Sequence, residues 1–211
     1  MPTLTWTKLP AAKRRRVERA AIAEFASHPF DAANLDRIAR AAGVPKGSLY
    51  QYFTDKKALH AYVVSLAMAE ARSLLDGSLH RQPPRDPLDL YLRALVFPGT
   101  LRRRHPDLAQ LYARAVLAAP PGGQQDAAAH NAAFQAMFFE RGKSGGMLAA
   151  DLDQEAAGFL LDAVSHRIHA LLLDAPTAGR RSRDREAADM ASRVVGLLRR
   201  AFAPHPKGAS R

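Results

Sequence analysis

The sequence predicts an all-α protein, with a small N-terminal domain of three helices that contains a helix-turn-helix and a larger helical domain behind it. Three observations carry that expectation. No stretch alternates apolar and polar residues with β-branched side chains as a half-buried strand would. Apolar residues instead recur three and four apart through most of the chain. Two short apolar-faced segments meet at the turn Gly43-Val44-Pro45.

Each element has a local reason. From about Pro10 to Ser27, Val17, Ala21 and Phe25 repeat at a spacing of four, while Arg15, Arg16 and Arg19 take other faces. That is an amphipathic helix, which HPFDAA breaks. Asn34 is an N-cap, Asp36 lies in the first turn where the helix dipole favours an acid, and Leu35, Ile38, Ala39 and Ala42 make a buried face. Gly43 suits a left-handed C-cap, and Pro45 suits the first position of the next helix. Thr54 and Asp55 cap a helix from Lys56 to about Leu74, followed by a loop from Asp76 to Pro87. Further helices are expected at about 88–104, 107–118, 124–141, 153–173 and 184–202, separated by HP, APPGG, GKSGG and DAPTAGRRS. The expected domains are 8–56 and 57–203, with flexible termini at 1–7 and 204–211.

The totals fit this division. A chain of 211 residues with 47% hydrophobic content can bury one large core plus a small appended domain. Lysine and arginine number 31 against 20 acids, a formal +11, which suits a polyanion or an acidic surface as partner. Residues 1–60 hold 11 basic and 5 acidic side chains, a net +6, so the excess is densest at the start. The absence of cysteine excludes a disulfide framework, a thiolate metal site and a cysteine nucleophile. No Ser/His/Asp arrangement is legible, and the GKSGG of 142–146 lacks P-loop spacing, so no enzyme is expected. Without a signal-like run or about 18 continuous apolar residues, the chain reads as cytoplasmic with no membrane partner.

The stretch AGVPKGSLYQYF, Ala42 to Phe53, carries the chemistry. On a helix, Leu49 and Phe53 face inward and leave Lys46, Gly47, Ser48, Tyr50 and Gln51 at the surface, with Tyr52 intermediate. The exposed piece is about 10 Å long, short enough for a major groove about 12 Å wide. A lysine at a helix start is unfavourable within the chain and favourable if phosphate lies there. Lys46 opens one helix and Lys56-Lys57 the next, with Asp55 offsetting part of the second cluster. Gly47 weakens the helix by about 1 kcal/mol against alanine, and its return would be close backbone approach to a partner. Tyrosines can lie on sugar and reach phosphate, and Gln51 can pair with an adenine edge.

The run LDRIARAAGVPKGSLYQYFTDKKAL, Leu35 to Leu59, resembles the DNA-binding domain of the tetracycline-repressor (TetR) family of bacterial transcriptional regulators. With the first helix upstream, the resemblance covers about residues 8 to 65. It implies a helical C-terminal domain that dimerises and holds a small-molecule pocket, with repression of a palindromic DNA operator relieved by an inducer and no cofactor required. By position it makes Lys46, Gly47, Ser48, Tyr50, Gln51 and Tyr52 the recognition helix. Lys56 would hold a phosphate, and Asn34 would stand where the family often has a threonine or serine cap that also touches phosphate, its amide making the same DNA contact. Pro45 stands where a serine is common.

In the C-terminal region, Leu160, Ala163, Val164, Ile168, Leu171 and Leu172 form one apolar face, and Met190, Val194, Leu197, Leu198 and Phe202 another. Two such helices per subunit suit a homodimer interface. The candidate pocket residues are Tyr62, Phe97, Leu101, Tyr112, Phe134, Phe138, Phe159 and His166. Asp162, His166 and His169 share a helix face and could bind a metal or an inducer's polar group, although histidines paired with an aspartate are more often structural. The competing reading is a small-molecule or metal-sensing helical protein in which DNA binding is secondary.

Overall fold

A computed structural model describes residues 2–117, 125–173 and 180–204, apart from the side chains of 115–117, 125–133 and 180–181. The helices are α1 Leu4–Thr7, α2 Ala11–Ser27, α3 Leu35–Ala42, α4 Lys46–Tyr52, α5 Lys56–Arg81, α6 Pro87–Arg104, α7 Pro106–Leu117, α8 Gln125–Ser144, α9 Gln154–Leu173 and α10 Arg180–Ala201. No strand occurs among the described residues, and the fold is all-α as expected. The APPGG linker, most of DAPTAGRRS and the tail beyond Pro204 lie outside the described residues.

Two elements differ from expectation. The helix α5 runs to Arg81, past Leu74, so the expected loop shrinks to residues 82–86. Asp76 and Gly77 are poor helix formers but do not stop a helix already propagating. The other difference is at the start, where residues expected to be flexible form α1. Thr3 caps it by accepting from the Trp6 amide, and Trp6 is 2% exposed.

The chain divides into two compact units, residues 1–74 with 101–115, and residues 75–100 with 116–211. The first unit therefore takes in more than the helix-turn-helix. The inner face of α5 contributes Leu59, Val63, Ala67 and Ala71, and residues 101–115 contribute Leu101, Leu108 and Leu111, all buried.

Within the first unit α2 packs on α3 and α3 on α4. Their junction is tied by Glu24, whose Oε1 accepts from the Asn34 amide at 2.8 Å and from Arg37 Nη2 at 2.5 Å. Arg37 Nη2 also donates to the Ala32 carbonyl at 2.9 Å, closing the α2–α3 loop. The Arg37 guanidinium holds the Glu24 carboxyl below the usual carboxylate range despite opposing desolvation. Gly43 ends α3 at φ +64°, a left-handed conformation that a Cβ would strain.

The second unit is built on Leu95, Phe138, Leu161, Ile168, Leu172, Ala191 and Phe202, from α6, α8, α9 and the α10 end. Two polar contacts tie its elements together. The Tyr91 hydroxyl donates to the Leu161 carbonyl at 2.6 Å and lies 3.2 Å from Ser165 Oγ. Arg199 makes a two-pronged pair with Asp86, at 2.7 and 3.0 Å, fastening α10 to the start of α6. His169 is 9% exposed, and burial pushes its imidazole down to about 4.

These two groups give separable acid responses. Glu24 has a depressed folded value, so its contribution is complete above the ordinary glutamate value of about 4.3 and is lost as pH falls below it. Glu24→Ala is expected to lower the unfolding midpoint of the first unit by roughly 5 °C at neutral pH, read by calorimetry, and to remove that acid-sensitive component. Burial makes the folded state favour the neutral His169 ring, so its contribution to stability is full above about pH 6.5 and declines toward pH 4 by up to about 1.4 kcal/mol per pH unit. His169→Leu is expected to flatten the denaturation midpoint across that window.

Candidate nucleic-acid interface

The seven residues of α4 are too few to hold a helix alone, so burial sets their orientation. Leu49 is 2% exposed, and Phe53, just past the helix, is 1% exposed. With those positions inward, Lys46, Gly47, Tyr50 and Gln51 form the exposed face, with Ser48 half-buried at its edge. The Tyr50 ring is 52% exposed.

Tyr52 is the exception to the expected recognition surface. It is 3% exposed, packed 5.7 Å from the Trp6 ring with the Lys13 ammonium 5.8 Å from its centroid. Its helical position leaves it intermediate. The N-terminal helix then covers it, making Tyr52 a packing residue. The signal for this was present in TLTWT, where a capping threonine precedes the chain's single tryptophan.

The two lysines also have partners inside the chain. Lys46 Nζ pairs with Asp36 at 3.0 Å, which raises the ammonium's pKa. Both side chains are about half exposed, so the pair stabilises little. Lys56 Nζ donates to the carbonyls of Asp31 and Ala33 at 3.2 and 3.1 Å and lies 4.7 Å from the centre of the Phe30 ring. It ties the start of α5 to the α2–α3 loop, which the sequence pattern alone does not reveal. Asn34 caps α3 through Oδ1, 2.7 Å from the Asp36 amide, and is itself exposed.

Gly47 has helical neighbours and an ordinary φ, and a Cβ built there meets nothing within 4 Å. Nothing in the packing of the described residues requires glycine at this exposed position.

The same unit has an internal tie from α7. Arg114 Nη1 donates to the carbonyls of Phe25 and, at 2.5 Å, His28, at the end of α2. His60 sits edge-on to Phe25 and Phe30, and burial lowers its pKa, helped by the nearby charges of Arg114 and Lys56.

The eight candidate pocket residues divide between the two units. Tyr62, Leu101 and Tyr112 belong to the first unit, and Phe97, Phe134, Phe138, Phe159 and His166 to the second. Tyr62 donates to Glu18 at 2.7 Å, and burial pushes the Tyr112 phenol up to about 12. Phe138 is fully buried, stacked on Phe134, whereas Phe159 is 73% exposed and His166 is exposed as well. Asp162 is on the surface with Gln135 Nε2 at 2.7 Å, while His169 lies inside, so the three metal candidates do not converge. Among the described residues no group of three or more His, Asp or Glu is placed to hold a metal ion. A cavity of about 860 Å³ lies instead between α9 and α10, walled by Ala163, Val164, Leu171, Met190 and Val194 with Arg167, Arg183 and Glu186 at its polar parts. None of the eight lines it.

Residues 19–63 match the family model described as bacterial regulatory proteins, tetR family. Two curated relatives are 36% and 39% identical over 78 and 61 residues, the second being the HTH-type transcriptional repressor SCO4008 of Streptomyces coelicolor. Those matches span 37% and 29% of this chain, and 39% and 32% of the relatives' lengths. A TetR family transcriptional regulator from Chloroflexus aurantiacus superposes with a TM-score of 0.66 at 28% identity, over 96% of this chain and 98% of that one. The transcriptional regulator FadR from Bacillus subtilis, solved in complex with stearoyl-CoA, shares the fold with a TM-score of 0.64 at 15% identity, over 87% of this chain and 97% of that one. Residues 19–63 thus match the helix-turn-helix of bacterial regulatory proteins of the tetR family, and the chain as a whole is similar in fold to a TetR family transcriptional regulator.

Proposed function

We propose that the chain is a homodimeric, sequence-specific repressor that grips a palindromic DNA operator through α3 and α4 and releases it when a small molecule binds its C-terminal unit. The observation that carries the DNA half is the exposed face of α4. It presents Lys46, an open Gly47, Tyr50 and Gln51, with no acid in the first turn. Gly47 leaves the backbone free to approach phosphate or sugar, Tyr50 lies on the backbone, and Gln51 reads a base edge. Lys46 exchanges Asp36 for phosphate on binding. Lys56 positions the α2–α3 loop, leaving one of its three donors for an outward phosphate. The exposed Arg15 and Arg16 near the start of α2 add cationic surface. The tetR-family match and the relative named as a repressor support repression in a cytoplasmic setting.

The dimer half rests on α9 and α10. One face of α9 enters the core through Leu161, Ile168 and Leu172, yet Phe159, Leu160 and Leu171 remain exposed, as do Met190 and Leu197 on α10. An apolar stripe on two neighbouring helices, with the groove between them, suits a four-helix contact with a second copy. A half-site reader needs such a partner about one turn of DNA away.

The effector half is supported by the family and by the stearoyl-CoA complex of the Bacillus subtilis neighbour. Of the eight candidate residues, Phe97, Phe134 and Phe138 best suit a site within the C-terminal unit, and the exposed Phe159 and His166 do not.

The central test is a duplex selected from a random library by the wild-type protein, with a shuffled duplex as control. Binding is expected to prefer the selected duplex and to weaken steeply with salt, and equal affinity for both sinks the reading. Tyr50→Ala is expected to cost at least about tenfold in that affinity. Gly47→Ala should act with opposite signs, raising thermal stability by up to about 1 kcal/mol while weakening operator binding. A double change Phe159→Glu and Leu197→Glu is expected to halve the mass seen by sedimentation velocity with the helical content retained.

A further inference from the structure

We infer that residues 2–9 are a strap that sets the position of the recognition helix and thereby its preference for operator over other DNA. The inference rests on the DNA-binding role of α4 and concerns a segment outside the matched residues 19–63. Neither end of α4 has a side-chain cap of its own; Pro45 provides none. The strap supplies the missing partners at the C-terminal end. Thr3 Oγ1 donates to the Gln51 carbonyl at 2.6 Å, and the Thr3 amide donates to the Tyr52 carbonyl at 2.9 Å. Pro2 bridges to Phe53.

Trp6 then locks the strap down. Its ring lies 4.9 Å from Phe53, 5.7 Å from Tyr52 and 5.5 Å from Tyr62 of α5. Arg14 Nη1 donates to the Thr7 carbonyl at 3.4 Å, anchoring the far end to α2. The consequence concerns Gln51 and Tyr50. Both lie on the free face, and their backbone is fixed on one side by Leu49 and on the other by Phe53, which packs 5.3 Å from Tyr62, together with what Thr3 and Trp6 hold. Losing the strap leaves the helix free to tilt or fray at the residues placed to read bases. Phosphate contacts, which tolerate small shifts, are disturbed less.

The test compares the wild-type chain with Trp6→Ala, Thr3→Val and a deletion of residues 2–7, using the selected and shuffled duplexes and amide hydrogen exchange without DNA. The expected result for Trp6→Ala and the deletion is faster exchange confined to residues 46–53. The ratio of selected to shuffled affinity should fall by at least about tenfold, with the shuffled affinity retained. Thr3→Val should give a smaller effect of the same kind, and Trp6→Phe should restore most of the ratio. Unchanged exchange over 46–53 together with an unchanged ratio overturns the inference. So does a general rise in exchange with parallel loss of both affinities, which marks a merely stabilising segment. If the wild type shows no preference between the duplexes, the repressor reading fails, and hydrogen exchange over 46–53 still decides whether the strap holds α4.

Discussion

A helix of seven residues cannot hold its own shape in water, because nucleation fixes several residues for each hydrogen bond gained. Everything about the first unit follows from the need to hold Lys46–Tyr52 from outside. Leu49 and Phe53 anchor it from below, α3 meets it through the left-handed turn at Gly43, and the N-terminal helix closes over Tyr52 and Phe53. The α2–α3 junction behind it is fastened by one carboxylate, Glu24, serving the Asn34 amide and Arg37. A side chain that satisfies both a backbone donor and a guanidinium fixes geometry as well as contributing energy.

The electrostatics of that unit are more economical than its charge suggests. Lys46 and Lys56, misplaced by the helix-dipole criterion, each find an internal partner, in Asp36 and in the carbonyls of Asp31 and Ala33. The two partners differ in kind. Asp36 forms an exposed ion pair that water and salt already weaken, so Lys46 can leave it. The carbonyls and the Phe30 face hold Lys56 in a half-buried niche, where it organises a loop. Two lysines that look alike in sequence thus take different parts, one able to exchange partners and one structural.

The second unit follows a different constraint. By length and composition α9 is apolar enough to pass for a membrane span. Its inward residues complete a core that already holds Phe138, Leu95 and Phe202, and its outward residues form the stripe that continues onto α10. A helix apolar on more than one face requires more than one neighbour. His169 illustrates the same crowding, since it enters the core as a neutral ring while His166, three residues earlier, stays in solvent.

The helical class, the helix-turn-helix and the inward anchors follow from the amino-acid order alone, because these depend on short-range rules. Spacing of four, an N-cap at Asn34, a glycine able to take positive φ and a proline able to start a helix all act within a few residues. It also determined which residues of α4 face outward, except at Tyr52. Packing between helices settles Tyr52, the ordered start around Trp6, the partners of Lys46 and Lys56, and the inward turn of His169 with Phe159 left outside. Each of these depends on a residue from another helix reaching the same space. Trp6 and Tyr52 are joined by packing, Glu24 and Arg37 by a hydrogen-bonded pair, and neither relation has a period or spacing that a linear pattern can express.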